Sequence, residues 1–196
     1  HLKWHYDNGR ITFENYSPRL RFVTVAMATV LTYLRQIGID LTPFSLTVRS
    51  ELADEQTGAK YGLGSSAAVS TGIVSAILEK FLPEKPDREV IFKLAAIAHI
   101  RTQGSGSGAD IAASTYGGVL HYRSFQAEWL KEKLRNVRNI KRIVHAQWDY
   151  LLIEKVAFPD DVAIYIGWTG NPASTKNLVG KIATMKKEDP QSYEHF

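Results

Sequence analysis

Lys60-Tyr61-Gly62-Leu63-Gly64-Ser65-Ser66-Ala67-Ala68 decides how this chain reads. Glycines have no Cβ, so backbone N–H groups in such a loop approach a ligand closely. From Ser66 the small and apolar positions Ala67, Val69, Ile73, Val74, Ile77 and Leu78 recur at helical spacing, and Pro83 marks the stop. The loop therefore opens a helix. A glycine-rich turn at the positive end of a helix is an anion site, and phosphate is the natural anion. Ser65 and Ser66 add two hydroxyls, either of which also suits Mg²⁺, a cation that takes oxygen ligands. Lys60 stands two residues before the glycines, within reach of a transferring phosphoryl group. A tight glycine turn with serine as helix N-cap accounts for the same residues without a ligand. The pattern is neither a Walker A loop nor Gly-x-Gly-x-x-Gly.

A second glycine-serine loop, Gly104-Ser105-Gly106-Ser107-Gly108-Ala109-Asp110, also meets an alanine-rich turn. Ser105 and Ser107 are donors for a substrate phosphate, and Asp110 would accept a proton or bind Mg²⁺. The competing role for Asp110 is N-cap of a turn over residues 111–116. His99 sits among Ala96, Ile97 and Ala98 and reads as a satisfied core or edge histidine rather than a base. With no cysteine in the chain, a zinc site has little support. A helix rather than a strand precedes Ser105, against an α/β-hydrolase elbow.

Outward from the loops, Leu2, Trp4 and Tyr6 alternate with polar residues, Asn8-Gly9 makes a turn, and Ile11 and Phe13 resume, which reads as a hairpin. Leu20, Val23, Met27, Val30, Leu31 and Leu34 predict a helix from Pro18 to Ile37 with Gly38 as its stop. Phe44, Leu46 and Val48 predict a strand, as do residues 119–125 and 162–168, and residues 174–187 have a helical pattern. A helix opened by Pro86-Asp87 carries Val90, Ile91, Leu94, Ile97 and Ala98 and ends at Gln103. Strands and helices alternate without steady βαβ spacing, so the fold class is α+β.

The 196 residues, with 44% apolar residues and no cysteine, have the composition of a globular protein and exclude disorder, collagen and a disulfide scaffold. The longest uncharged apolar-rich stretch, Phe22 to Leu34, falls short of the ~20 residues of a membrane span. The first residues resemble no secretory signal. The net charge of +4 includes a run from Lys131 to Arg142, which reads as a solvated face. It lacks the interleaved aromatics of a nucleic-acid surface.

Lys60 to Ala68 resembles the second signature motif of the GHMP small-molecule kinases. Gly104 to Asp110, continuing Ile111-Ala112-Ala113-Ser114-Thr115-Tyr116-Gly117-Gly118, is similar to the segment that supplies that family's active-site aspartate. Ile166-Gly167-Trp168-Thr169-Gly170-Asn171-Pro172-Ala173-Ser174-Thr175 is similar to the segment opening the second domain in the bacterial phosphomevalonate kinase branch. The resemblance implies a ribosomal-protein-S5-domain-2-like α+β domain over residues 1–158, lacking its first strands. The start of a ferredoxin-like C-terminal domain would follow over residues 159–196. It implies ATP and Mg²⁺ as cofactors and transfer of the γ-phosphoryl group to 5-phosphomevalonate, in the mevalonate route to isoprenoids.

By the same resemblance, Gly62, Leu63, Gly64, Ser65, Ser66 and Ala67 cradle the triphosphate, with Ser66 the metal ligand. Lys60 and Asp110 are catalytic, and Ser105, Gly106, Ser107, Ser174 and Thr175 meet the substrate. The partners implied are small molecules, with no nucleic acid and no membrane, in the cytoplasm. Mevalonate kinases carry a metal-binding Glu eleven residues before the catalytic Asp; His99 stands at that position here, which counts against mevalonate. The family's first and third motifs are absent from these residues, so the expectation is a partial chain that is catalytically weak alone. The alternatives are another GHMP kinase, acting on mevalonate or a sugar, and a non-catalytic S5-like binding module.

Overall fold

The computed structural model describes residues 2–7, 10–52, 57–58, 61–136, 139–168, 182 and 184–188. Two units are distinguished: His1–Val48 with Gly64–Ala163, and Arg49–Leu63 with Ile164–Phe196. The boundary falls inside the first glycine loop.

In the first unit, β1 (Lys3–Asp7) pairs antiparallel with β2 (Arg10–Glu14), Trp4 facing Phe13 and Tyr6 facing Ile11. The expected hairpin is present; its turn, Asn8-Gly9, lies outside the described residues. One turn of 3-10 helix, Pro18–Leu20, leads into α1 (Arg21–Gln36). The apolar stripe of α1 buries Ala26, Met27, Val30, Leu31 and Leu34. Gly38, at φ 91°, takes the left-handed conformation that glycine adopts at little cost just past a helix.

Three further helices follow, the first and third opened by the glycines Gly64 and Gly108: α2 (Ser65–Phe81), α3 (Arg88–Gln103) and α4 (Ala109–Tyr116). Asp87 caps α3 by accepting the Glu89 N–H at 2.7 Å. From Ile91 to Ile100 every residue of α3 is buried, which makes it the central helix of the unit. An antiparallel pair, β3 (Val119–Arg123) and β4 (Leu152–Val156), and two short helices, α5 (Ala127–Asn136) and α6 (Ile140–Val144), complete the unit. Phe92, Phe125 and Trp148 form an aromatic cluster beside α3, Phe125 lying 5.0 Å from Trp148 and 6.2 Å from Phe92 between ring centroids. Apart from Arg138, which lies outside the described residues, the basic residues of the run fall on α5 and α6, whose apolar sides bury Leu130, Ile140, Ile143 and Val144.

Two expected strands do not form. Residues 41–50 belong to no strand, although Phe44 and Leu46 are half-buried between exposed neighbours as the alternation requires. Phe44 packs on Trp4 at 5.2 Å and Phe81 at 5.7 Å. Side-chain burial thus produces the period of two, and no ladder partner accompanies it among the described residues. Residues 162–168 are likewise outside any strand, and Tyr165 and Ile166 are 93% and 83% exposed. Residues 182 and 184–188 are helical, as their pattern predicts; the rest of 174–187 is outside the described residues except as stated. No helix among the described residues is long and apolar enough to cross a membrane.

Candidate active site

Both glycine loops end in the same way. Gly64 is the N-cap of α2 at φ 74°, ψ 35°, and Gly108 is the N-cap of α4 at φ 78°, ψ 8°; neither helix has a side-chain cap. Left-handed glycine is what lets each chain enter its helix from this direction. The serine N-cap alternative for the first loop is therefore corrected: Ser65 is already the first residue of α2. Asp110 is not an N-cap either, because it lies inside the first turn of α4, where its Oδ1 accepts the Ile111 N–H at 3.0 Å.

The two helix starts are neighbours. A Cβ built on Gly64 would stand 3.5 Å from the Asp110 Cβ, so the carboxylate is placed beside the first turn of α2. Helix N-termini carry unpaired N–H groups and partial positive charge. Two of them side by side, with one carboxylate between, suit a polyanion bound together with a cation.

His99 of α3 completes this constellation, although its apolar neighbours point only to a core role. It is 4% exposed, its Nε2 lies 3.3 Å from Ser66 Oγ, and its ring packs 5.4 Å from that of Phe22. A Cβ on Gly106 would come within 3.8 Å of its Nδ1. Burial pushes the imidazole below its ordinary value of 6.5, against the pull of the Asp110 charge. The ring is therefore neutral at pH 7.

The second loop is anchored from β3 and the segment after it. The Ser107 carbonyl accepts from the Tyr122 hydroxyl at 2.5 Å and from Ser124 Oγ at 3.0 Å, while Ser107 Oγ accepts the Ala109 N–H at 3.3 Å. A Cβ on Gly108 would meet Phe125 Cε1 at 2.7 Å and the Tyr122 hydroxyl at 3.0 Å. Burial pushes the Tyr122 hydroxyl above its usual range, which keeps it a neutral donor. Tyr122, Ser124 and Phe125 escape a reading of the chain because nothing in their spacing points to a loop 15 residues upstream.

The candidate residues Gly64, Ser65, Ser66, Ala67, Gly106 and Asp110 thus lie on adjoining helix starts and the loop beside them; Ser105 and Ser107 are exposed on that loop. Ala67 is fully buried and contributes packing. Gly62 and Leu63 belong to the second unit, in which the Tyr61 N–H donates to the Leu52 carbonyl at 3.2 Å. Lys60, Ser174 and Thr175 lie outside the described residues. No group of three or more metal-ligating His, Asp or Glu side chains occurs among the described residues.

Residues 23–118 match the family described as GHMP kinases N terminal domain. Helices α2, α3 and α4 and both glycine loops fall within that match, and this stretch is a GHMP kinase N-terminal domain. The chain is 30% identical to the phosphomevalonate kinase of Streptomyces sp. (strain CL190) over 98% of its own length and 52% of that protein's. Curated relatives carry the names of both phosphomevalonate and mevalonate kinases. Among solved structures, the Lin0012 protein from Listeria innocua is similar with a TM-score of 0.83 at 33% identity, covering 99% of this chain and 60% of that one. The phosphomevalonate kinase of Streptococcus pneumoniae, in complex with phosphomevalonate and AMPPNP, has a TM-score of 0.74 at 22% identity over 93% of this chain and 57% of that one. Its likeness concerns the fold. The chain spans about half the length of the Streptomyces relative.

Proposed function

We propose that the protein carrying this chain is a phosphomevalonate kinase, transferring the γ-phosphoryl group of ATP to the phosphate of 5-phosphomevalonate. A bond forms between an acceptor phosphate oxygen and the γ-phosphorus, the bond to the β,γ-bridging oxygen breaks, and ADP leaves with that electron pair. The observation that carries the reading is the pair of glycine-opened helix starts with Asp110 beside Gly64. The similarity to a named phosphomevalonate kinase over nearly the whole chain supports it, as does a neighbouring fold seen with phosphomevalonate and an ATP analogue.

On this reading Gly62 to Ala67 cradle the triphosphate, and Lys60 carries part of the phosphoryl charge. Ser105, Gly106 and Ser107, with Ser174 and Thr175, hold the acceptor's anionic groups. Mg²⁺ would neutralise phosphate charge here; one hydroxyl, Ser66, and one carboxylate, Asp110, fit a cation that takes most of its ligands from phosphates and water. An acceptor that is already an ionised phosphate needs no general base, so Asp110 orients it or the metal rather than removing a proton. Residues 1–158 would form the ATP-binding domain and residues 159–196 belong to the family's second domain, with the protein working in the cytoplasm. Relatives named mevalonate kinase keep a second GHMP substrate as the rival reading.

The test is ADP release by the full-length protein, given ATP and Mg²⁺ with 5-phosphomevalonate or mevalonate separately. Turnover with 5-phosphomevalonate alone is expected. Asp110→Asn should reduce it by at least about a hundredfold, the scale of losing an electrostatic group from a transition state. Turnover with mevalonate alone would transfer the assignment to the rival, and an unchanged rate in Asp110→Asn would remove that carboxylate from the mechanism.

A further inference from the structure

Four hydroxyls of α2, α3 and α4 bond back along their own helix. Ser70 donates to the Ser66 carbonyl at 2.9 Å, Thr102 to Ala98 at 2.8 Å, Ser114 to Asp110 at 2.8 Å and Thr115 to Ile111 at 2.7 Å. Each bonds back to the carbonyl four residues earlier. Ser66, the second residue of α2, has no helical carbonyl four residues earlier to bond, and its hydroxyl meets His99 Nε2 at 3.3 Å across the helix interface.

We infer that His99 is a positioning residue for Ser66: its Nε2 accepts the Ser66 hydroxyl proton and leaves both Oγ lone pairs available on the phosphate side. This rests on the reading of Ser66 as part of the phosphoryl-transfer site. The direction of the hydrogen bond matters chemically. An Oγ that receives a proton from Nε2–H has lost one lone pair and offers its own hydrogen outward, which suits a phosphate oxygen but opposes a cation. An Oγ that donates to Nε2 is a ligand.

The surroundings hold the ring for this task. His99 is buried against Phe22 of α1, with the Gly106 backbone on its Nδ1 side. Asp110 is the charged group that acts on it from α4, and the hydrogen bond at Nε2 is what sets which ring nitrogen carries the proton. Glutamine sets an amide near the place of Nε2, whereas asparagine sets one near Nδ1 and falls short of Ser66.

Two measurements test the inference in the full-length protein. Proton–nitrogen correlation spectra of ¹⁵N-histidine-labelled protein, without nucleotide or metal, should show His99 as the Nδ1–H tautomer, and Ser66→Ala should shift it toward Nε2–H. An Nε2–H tautomer in the unsubstituted protein overturns the inference whatever the enzyme's substrate. In kinetics, His99→Asn should lower kcat by about 10- to 100-fold and raise the apparent Mg²⁺ constant, the scale seen when a partner of a ligand is lost. His99→Gln should recover about tenfold of that loss. Equal losses in the two variants with an unchanged Mg²⁺ constant would make His99 a packing residue only. A wild-type protein inactive on every acceptor would defeat the functional reading instead, and the spectra would still decide the tautomer.

Discussion

At the residue scale, two glycines with the same backbone conformation differ in their surroundings. Gly104 and Gly108 have φ of 79° and 78°, but a Cβ on Gly104 meets nothing within 4 Å while one on Gly108 meets Phe125 at 2.7 Å. Gly104→Ala should cost only left-handed backbone strain, about 1–2 kcal/mol. Gly108→Ala should cost that plus overpacking, about 2–5 kcal/mol together. Urea midpoints for the two variants check this; equal losses would show that Phe125 moves aside freely. Phe125→Leu combined with Gly108→Ala should restore part of the difference, because the ring edge retreats while the Tyr122 hydroxyl at 3.0 Å stays. Both glycines are conspicuous in the sequence, since glycine and serine alternate there. What distinguishes them is invisible in it, because the obstructing ring arrives from a segment beyond β3. His99 shows the same limit: its burial is readable from its apolar neighbours, but its partner Ser66 lies 33 residues away.

At the element scale, periodicity identifies α1 to α3 well because each buries an apolar stripe or, in α3, nearly its whole surface, whereas α4 reads in the sequence only as an alanine-rich turn. The period of two is less reliable: it holds in residues 44–47 as alternating burial without a ladder, and β4, whose Glu154 and Lys155 interrupt the apolar run, gives no strand signal at all. The central helix also carries a residue that no periodicity argument favours. Lys93 of α3 is 4% exposed; its Nζ donates to the Ala146 carbonyl at 2.9 Å, pairs with Glu89 at 2.6 Å and lies 5.7 Å from the Trp148 ring centroid. It ties α3 to the segment after α6. Lys93→Met keeps most of the aliphatic packing but orphans the Ala146 carbonyl, and should destabilise by about 1–3 kcal/mol. Lys93→Ala loses the packing too and should cost more. A methionine variant as stable as the parent in denaturant would show that water satisfies the carbonyl.

At the scale of the whole molecule, the site is assembled from the starts of helices whose apolar faces belong to the core, Ile73, Val74, Ile77 and Leu78 of α2 and Ile111 and Ala112 of α4, so binding and folding are linked. A ligand that binds only the folded protein stabilises it by RT ln(1 + [L]/Kd), about 2.7 kcal/mol at a hundredfold excess over Kd. ATP with Mg²⁺ should therefore raise the unfolding midpoint of the full-length protein in proportion to the logarithm of its concentration. Asp110→Asn separates binding from chemistry in the same experiment. If, as proposed, Asp110 stands beside the triphosphate and meets the metal, removing its negative charge lessens repulsion and costs a metal contact, so without metal the variant should respond to ATP at least as strongly as the parent, and with Mg²⁺ it should gain less than the parent does. Thermal scans at stepped ATP concentrations, with Mg²⁺ and with a chelator, read both. Absence of any ATP-dependent shift in the parent would show that the glycine-opened helix starts hold no nucleotide, whereas identical Mg²⁺ increments in the two proteins would show that Asp110 does not meet the metal.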